Sequence, residues 1–151
     1  MLLQTRLFGE VEIDENKMIT FENGIIGFPD LKEFFIIRDE EKGIDAISWL
    51  QSKEETGMAI PVMNPLVVME DYNPVIEDEM LKPLGELKED NIMALVTVRV
   101  PANIEDISVN LKAPIVINAD TRKACQLILD DEKYQVRYPI YEIFKNAKDG
   151  E

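Results

Sequence analysis

The chain has 151 residues, 30 of them acidic and 16 basic, with no histidine and a formal charge of -14 at pH 7. That balance argues against phosphate as a ligand, since nucleic-acid affinity comes largely from Lys and Arg displacing counterions. The missing histidine removes the commonest general base and metal ligand at neutral pH, so the composition favours docking to a basic protein surface.

Short apolar runs separated by turn chemistry predict an antiparallel β protein. Residues 2–8 and 11–13 read as strand on either side of Gly9, where a kink or bulge is expected. Asp14-Glu15-Asn16-Lys17 is a polar turn into a strand over 18–21, and Glu22-Asn23-Gly24 is a second turn, because Asn-Gly tolerates positive φ. Strands follow over 34–38, 46–52 and 58–63, bounded by charged turns containing Gly43 and Gly57. Between 75 and 87 the period changes: Ile76, Met80, Leu81, Leu84 and Leu87 recur every three or four residues behind Glu77, Asp78 and Glu79. Acids favour a helix start, so a short helix interrupted near Pro83 is expected. Strand patterns resume at 91–100, 107–111, 114–117, 125–129 and 134–138, and 141–148 allows one or two helical turns. The fold class is mainly β: a small antiparallel β-barrel-like single domain over 1–151, with one or two short helices.

A hydrophobic share of 46% and a charged share of 30% suit one soluble globular domain. The single cysteine, Cys125, cannot form an internal disulfide, and its neighbours suggest a buried structural thiol in a reducing compartment. The longest uncharged apolar stretch, 59–69, is broken by Pro61, Asn64 and Pro65 and falls short of the roughly 20 residues of a membrane span. The N-terminus lacks the layout of a signal peptide, so a cytoplasmic protein without membrane contact is expected.

Gly24-Ile25-Ile26-Gly27 matches a bare GxxG nucleic-acid clamp, but Glu22 and Asp30 flank it and Lys32 is the nearest base; a structural turn is the alternative. Asp39-Glu40-Glu41-Lys42-Gly43-Ile44-Asp45 resembles a calcium loop only superficially, because its glycine falls fifth rather than sixth, and a solvated turn is the competing reading. Ser48, Ser52 and Ser108 lie outside any G-x-S-x-G, there is no histidine to activate them, and one cysteine cannot build a zinc site. A carboxylate pair of glycosidase type stays open, since any two of thirty acids might converge, with solvated surface as its alternative. Trp49 reads as core or as a binding platform. The acidic run over 70–79 reads as a solvated face or as a docking patch that steers a basic partner.

Several segments in order resemble the flagellar assembly factor FliW family. Thr5-Arg6-Leu7-Phe8-Gly9-Glu10-Val11 is similar to its opening strand, residues 21–28 to its F-x-x-G-I-x-G-F segment, and Trp49-Leu50-Gln51-Ser52 to its W-L-Q-S segment. Residues 110–118 resemble its N-L-x-A-P-I-x-I-N block, followed by Gln126 and Tyr134, so the likeness runs nearly end to end. The resemblance implies a small barrel-like fold without catalytic activity or cofactor. It also implies a partner switch in which the protein binds flagellin or, alternatively, the RNA-binding translational repressor CsrA, whose repression of flagellin mRNA it antagonises.

Catalytic, cofactor and metal residues are therefore not expected, nor is direct nucleic-acid contact. The expected partner-binding residues are Glu70, Asp71, Tyr72, Glu77, Asp78 and Glu79, and secondarily Ile104, Glu105, Asp106 and Ile107. The acids would steer the encounter, and Tyr72, Ile104 and Ile107 would supply buried contact. The runner-up function is an acidic carbohydrate-active enzyme working with two carboxylates.

Overall fold

A computed structural model describes residues 1–38, 47–88, 90–143 and 145. The acidic turn weighed above as a calcium loop lies outside them, as does half of the predicted helical segment over 141–148, of which Tyr141, Glu142, Ile143 and Lys145 are helical.

The chain opens with a hairpin of β1 (Leu2–Thr5) and β2 (Gly9–Glu12). The expected long first strand stops at Thr5, whose hydroxyl donates to the Gly9 carbonyl at 2.8 Å and accepts from the Phe8 N–H at 2.9 Å. Gly9, at φ 67°, closes this turn instead of kinking a strand. The Phe8 ring meets Trp49 edge to face at 5.9 Å, which pins the hairpin to the body of the protein.

Seven strands make the body: β3 (Ile19–Phe21), β4 (Glu33–Arg38), β5 (Ile47–Ser52), β6 (Ala59–Met63), β7 (Ile92–Arg99), β9 (Ile115–Asn118) and β10 (Lys123–Gln126). They run β7-β6-β5-β4-β3-β10-β9, and β9 pairs back onto β7 to close the ring. A closed ring with an odd number of strands cannot alternate direction throughout. The antiparallel β-barrel expected from sequence is the fold observed, with one parallel seam, where β3 and β10 run side by side with Thr20 beside Lys123 and Phe21 beside Ala124. Two short strands, β8 (Ser108–Val109) and β11 (Tyr138–Pro139), extend the sheet beyond the second half of β7. Of the strand predicted over 134–138, only Tyr138 pairs. The strand predicted over 125–129 sits two residues earlier.

Alternation along the strands sorts the core. Ile19, Phe21, Phe34, Leu50, Val62, Leu95, Ile115, Ile117 and Ala124 form one buried cluster, drawn from all seven strands. They fill the barrel, with Phe21 and Phe34 edge to face at 5.4 Å. Val96 and Val98 point the other way and join Met63, Val109 and Leu111 in a second cluster outside it. Val116, between the inward Ile115 and Ile117, packs outward on Leu84 and Leu127.

That third cluster lies beneath the helical segment. The predicted helix is one turn, α1 (Asp78–Leu81), followed by a 3-10 turn over Lys82–Leu84 that holds Pro83. Asn118 ties this segment to the barrel. Its side chain is fully buried, its amide donates to the carbonyls of Leu84 (2.8 Å) and Glu86 (3.1 Å), and its oxygen accepts from the N–H groups of Asp120 (2.9 Å) and Thr121 (3.2 Å). Every hydrogen-bonding atom of that side chain is engaged, which is how a buried amide avoids a desolvation cost.

Candidate partner-binding surface

The acidic run leaves β6 through a 3-10 turn (Pro65–Val67) capped by the Asn64 side chain, and then crosses the outside of the barrel. Glu70, Asp71, Glu77, Asp78 and Glu79 are exposed. Tyr72 is not: it is 7% exposed, and its hydroxyl donates to the Leu111 carbonyl at 2.7 Å. Its ring packs on Tyr134, whose hydroxyl accepts from the Asn73 N–H at 3.3 Å. Burial, and secondarily the neighbouring Tyr134, push the Tyr72 phenol well above the ordinary tyrosine range, so it stays a donor.

The second predicted patch divides in the same way. Asn103 caps a 3-10 turn over Ile104–Asp106 by accepting from the Glu105 N–H at 3.2 Å. Ile104, Glu105 and Asp106 face solvent, whereas Ile107 is buried in the outer core. Tyr72 and Ile107 therefore anchor the two patches from below instead of offering contact area above, because each is the apolar residue its segment sinks into the outer core.

Two grooves flank Met80. The first, about 450 Å³, lies between residues 22–29 and the helical segment, and Ala124, Cys125 and Gln126 of β10 line it. The GxxG here is a structural turn. Gly24 has φ 68° with the Phe28 carbonyl 2.5 Å from where a Cβ would sit, and the Gln126 side chain accepts from the Ile26 N–H at 2.9 Å. Cys125 is half-buried rather than fully buried, and burial pushes its thiol up, away from the reactive thiolate.

The second groove, about 300 Å³, runs between residues 74–77 and 127–131. Its apolar rim is unusually bare: Val75 is 94% exposed and Ile128 61%, beside Met80 at 48%. Glu77, Asp130 and Asp131 border the same groove. These acids stand at an open groove, and no group of three potential metal ligands converges among the described residues. Apolar side chains beside several carboxylates suit a partner that brings both hydrophobic and basic groups.

Sequence reasoning had found the acids but not Ile26, Val75, Met80, Ile128, Asp130 and Asp131. The sequence pattern places Met80 among the apolar positions of a short helix and residues 125–129 in a strand, and neither reading marks a groove. Conversely, the segments that carry the family likeness are mostly structural. Leu50 is inside the barrel, and Gln51 donates to the carbonyls of Ser52 and Thr56. Asn118 holds the helical segment.

Comparison with known proteins places the same architecture elsewhere. A family model described as FliW protein matches residues 2–140. The chain is 49% identical over 150 residues to the flagellar assembly factor FliW of Lachnospira eligens, covering 98% of this chain and 99% of that one. It is 44% identical over 155 residues to the flagellar assembly factor FliW of Lachnoclostridium phytofermentans, covering 100% and 99%. A crystal structure of the flagellar assembly factor FliW superposes with a TM-score of 0.84 at 28% identity, over 93% of this chain and 97% of that one. No helix among the described residues is long and apolar enough to cross a membrane.

Proposed function

The chain belongs to the FliW family, and from that premise we propose that it is a regulatory protein of flagellar assembly that binds the repressor CsrA. Binding relieves repression of flagellin mRNA, and flagellin competes by binding the same protein.

The observation that carries this reading is the exposed row Glu77, Asp78 and Glu79 beside Val75, Met80 and Ile128. An RNA-binding repressor needs a positive surface for phosphate. Acids docked beside that surface lower its potential, and apolar neighbours give the contact lifetime that screened surface charge alone does not. Screening over about 8 Å at physiological salt requires acids at the edge of the contact, a place that Glu77, Asp130 and Asp131 hold at the rim of the second groove. Glu70 and Asp71, and the turn bearing Ile104, Glu105 and Asp106, are proposed as flanking contacts.

Titrating the purified protein into a preformed CsrA–RNA complex tests this. RNA should be released in proportion to protein added, and flagellin supplied afterwards should restore the complex. RNA that stays bound at saturating protein removes the reading. If release is allosteric, linkage requires RNA to weaken the binding of this protein to CsrA by the same factor.

A further inference from the structure

β7 changes partners along its length. Its first half, Ile92 to Leu95, pairs with β9, and its second half pairs with β8. On its other side β6 pairs with Val96 and Thr97 alone. The Ala119 N–H bonds the Asn91 carbonyl at 2.7 Å, which fixes the alternation: Met93 and Leu95 exchange hydrogen bonds with β9, while the backbone groups of Ile92 and Ala94 point away from it. Continuing the β6 register would set Pro65 opposite Ala94 and Val67 opposite Ile92. Those residues instead curl into a 3-10 turn, and Pro65 has no N–H to offer. Among the described residues, nothing pairs with this stretch of β7 edge.

The edge opens into a groove of about 510 Å³ with Leu66, Pro74, Ile92 and Met93 along it. Its electrostatics differ from those of the two acid-rimmed grooves. Arg38 is the one charged residue among the described residues that line it, and Arg38 makes no ion pair with any described residue. We infer that this edge is a β-augmentation site for an extended segment of a partner protein, apolar at alternate positions and carrying an acidic side chain that reaches Arg38. Ile92 and Ala94 supply the backbone hydrogen bonds, Leu66 and Met93 the apolar walls, and Arg38 the end point that sets direction. The site adjoins the second groove, with which it shares Pro74 and Ile76, and does not rest on CsrA or flagellin binding.

Backbone amide exchange on the full chain tests it, with acetyl-Val-Thr-Val-Thr-Val-Asp-amide as probe and the same peptide ending in Lys as control. In the free protein the Ile92 and Ala94 amides should exchange about 100-fold faster than those of Met93 and Leu95, and the Asp peptide should slow them. Ala94→Pro removes an N–H that the β9 ladder does not use, so the barrel should persist while peptide affinity falls about tenfold. Arg38→Glu should reverse the preference between the two peptides, and it keeps the test intact if the proline variant does not fold. A slow Ala94 amide in the free monomer overturns the proposal, as does undiminished binding to folded Ala94→Pro. Protection that grows with protein concentration alone also overturns it, by making the occupant a second copy.

Discussion

The Tyr72 ring stands at 69° to that of Tyr134 with centroids 4.9 Å apart, so an aromatic residue in the most acidic part of the chain is a fastener and not a lure. Tyr72→Phe keeps the ring contact and removes the hydrogen bond to Leu111. Stability near neutral pH should fall by about 1–2 kcal/mol, measured by urea unfolding. The pH dependence has a definite sign. Because the folded-state pKa is raised, the folded protein holds this proton where the unfolded chain releases it. The contribution is complete below the unfolded value of about 10 and is lost as pH rises above it, by up to ~1.4 kcal/mol per unit. Tyr72→Phe should show a shallower alkaline loss than the parent; parallel curves between about pH 8 and 11 would contradict the assignment.

Asn118 is the joint between the barrel and the helical segment. Asn118→Ala leaves the Asp120 and Thr121 N–H groups without their acceptor, while Thr121 and Asn91 still donate to the Leu84 and Glu86 carbonyls, and should cost about 2 kcal/mol. Amide exchange should rise first across residues 82–86 and 119–121, before the barrel strands respond. A loss spread evenly over β3, β4 and β5 would show that the side chain braces the barrel itself.

Gly24 and Gly9 share a left-handed backbone but differ in surroundings: nothing lies within 4 Å of a Cβ at Gly9, whereas Gly24 sits against Phe28 and Pro29. Gly9→Ala should cost about 1 kcal/mol from φ alone. Gly24→Ala should cost about 3 kcal/mol, since the 24–29 turn must also shift. Equal melting temperatures for the two variants would refute the close approach.

Charge reversal at Glu77 and Asp78 should slow association with CsrA about tenfold at low salt, flatten its salt dependence and leave dissociation nearly unchanged. Stopped-flow kinetics across a sodium chloride series would measure both rates. Kinetics that match the parent at every salt concentration would take these acids out of the interface.

Local signals carried the fold further than the site. Asn-Gly announced the turn at Gly24, and short apolar runs between turns found the strands that hold Phe34, Leu50 and Val62. The helix over 75–87 was read too long because Ile76, Met80, Leu84 and Leu87 recur every three or four residues, yet Ile76 and Leu87 pack over Val116 and Leu127 from irregular backbone on either side of the helical turns. The parallel seam was illegible, since nothing in Thr20 points to Lys123. Tyr72 was misplaced because its partner carbonyl, on Leu111, lies 39 residues away. The grooves join segments distant in sequence, so no single window contains them.

Seven-strand closure also sets an order of events for the newborn chain. The seam pairs Thr20 with Lys123, roughly a hundred residues later, so β10 must leave the ribosome before the ring can shut. Until then Phe21 and Phe34 lie on an unclosed sheet whose β3 edge is bare. Such long-range closure is slow and leaves sticky surface waiting. The dense negative charge has a task during that interval: like-charged unfinished chains keep apart from one another.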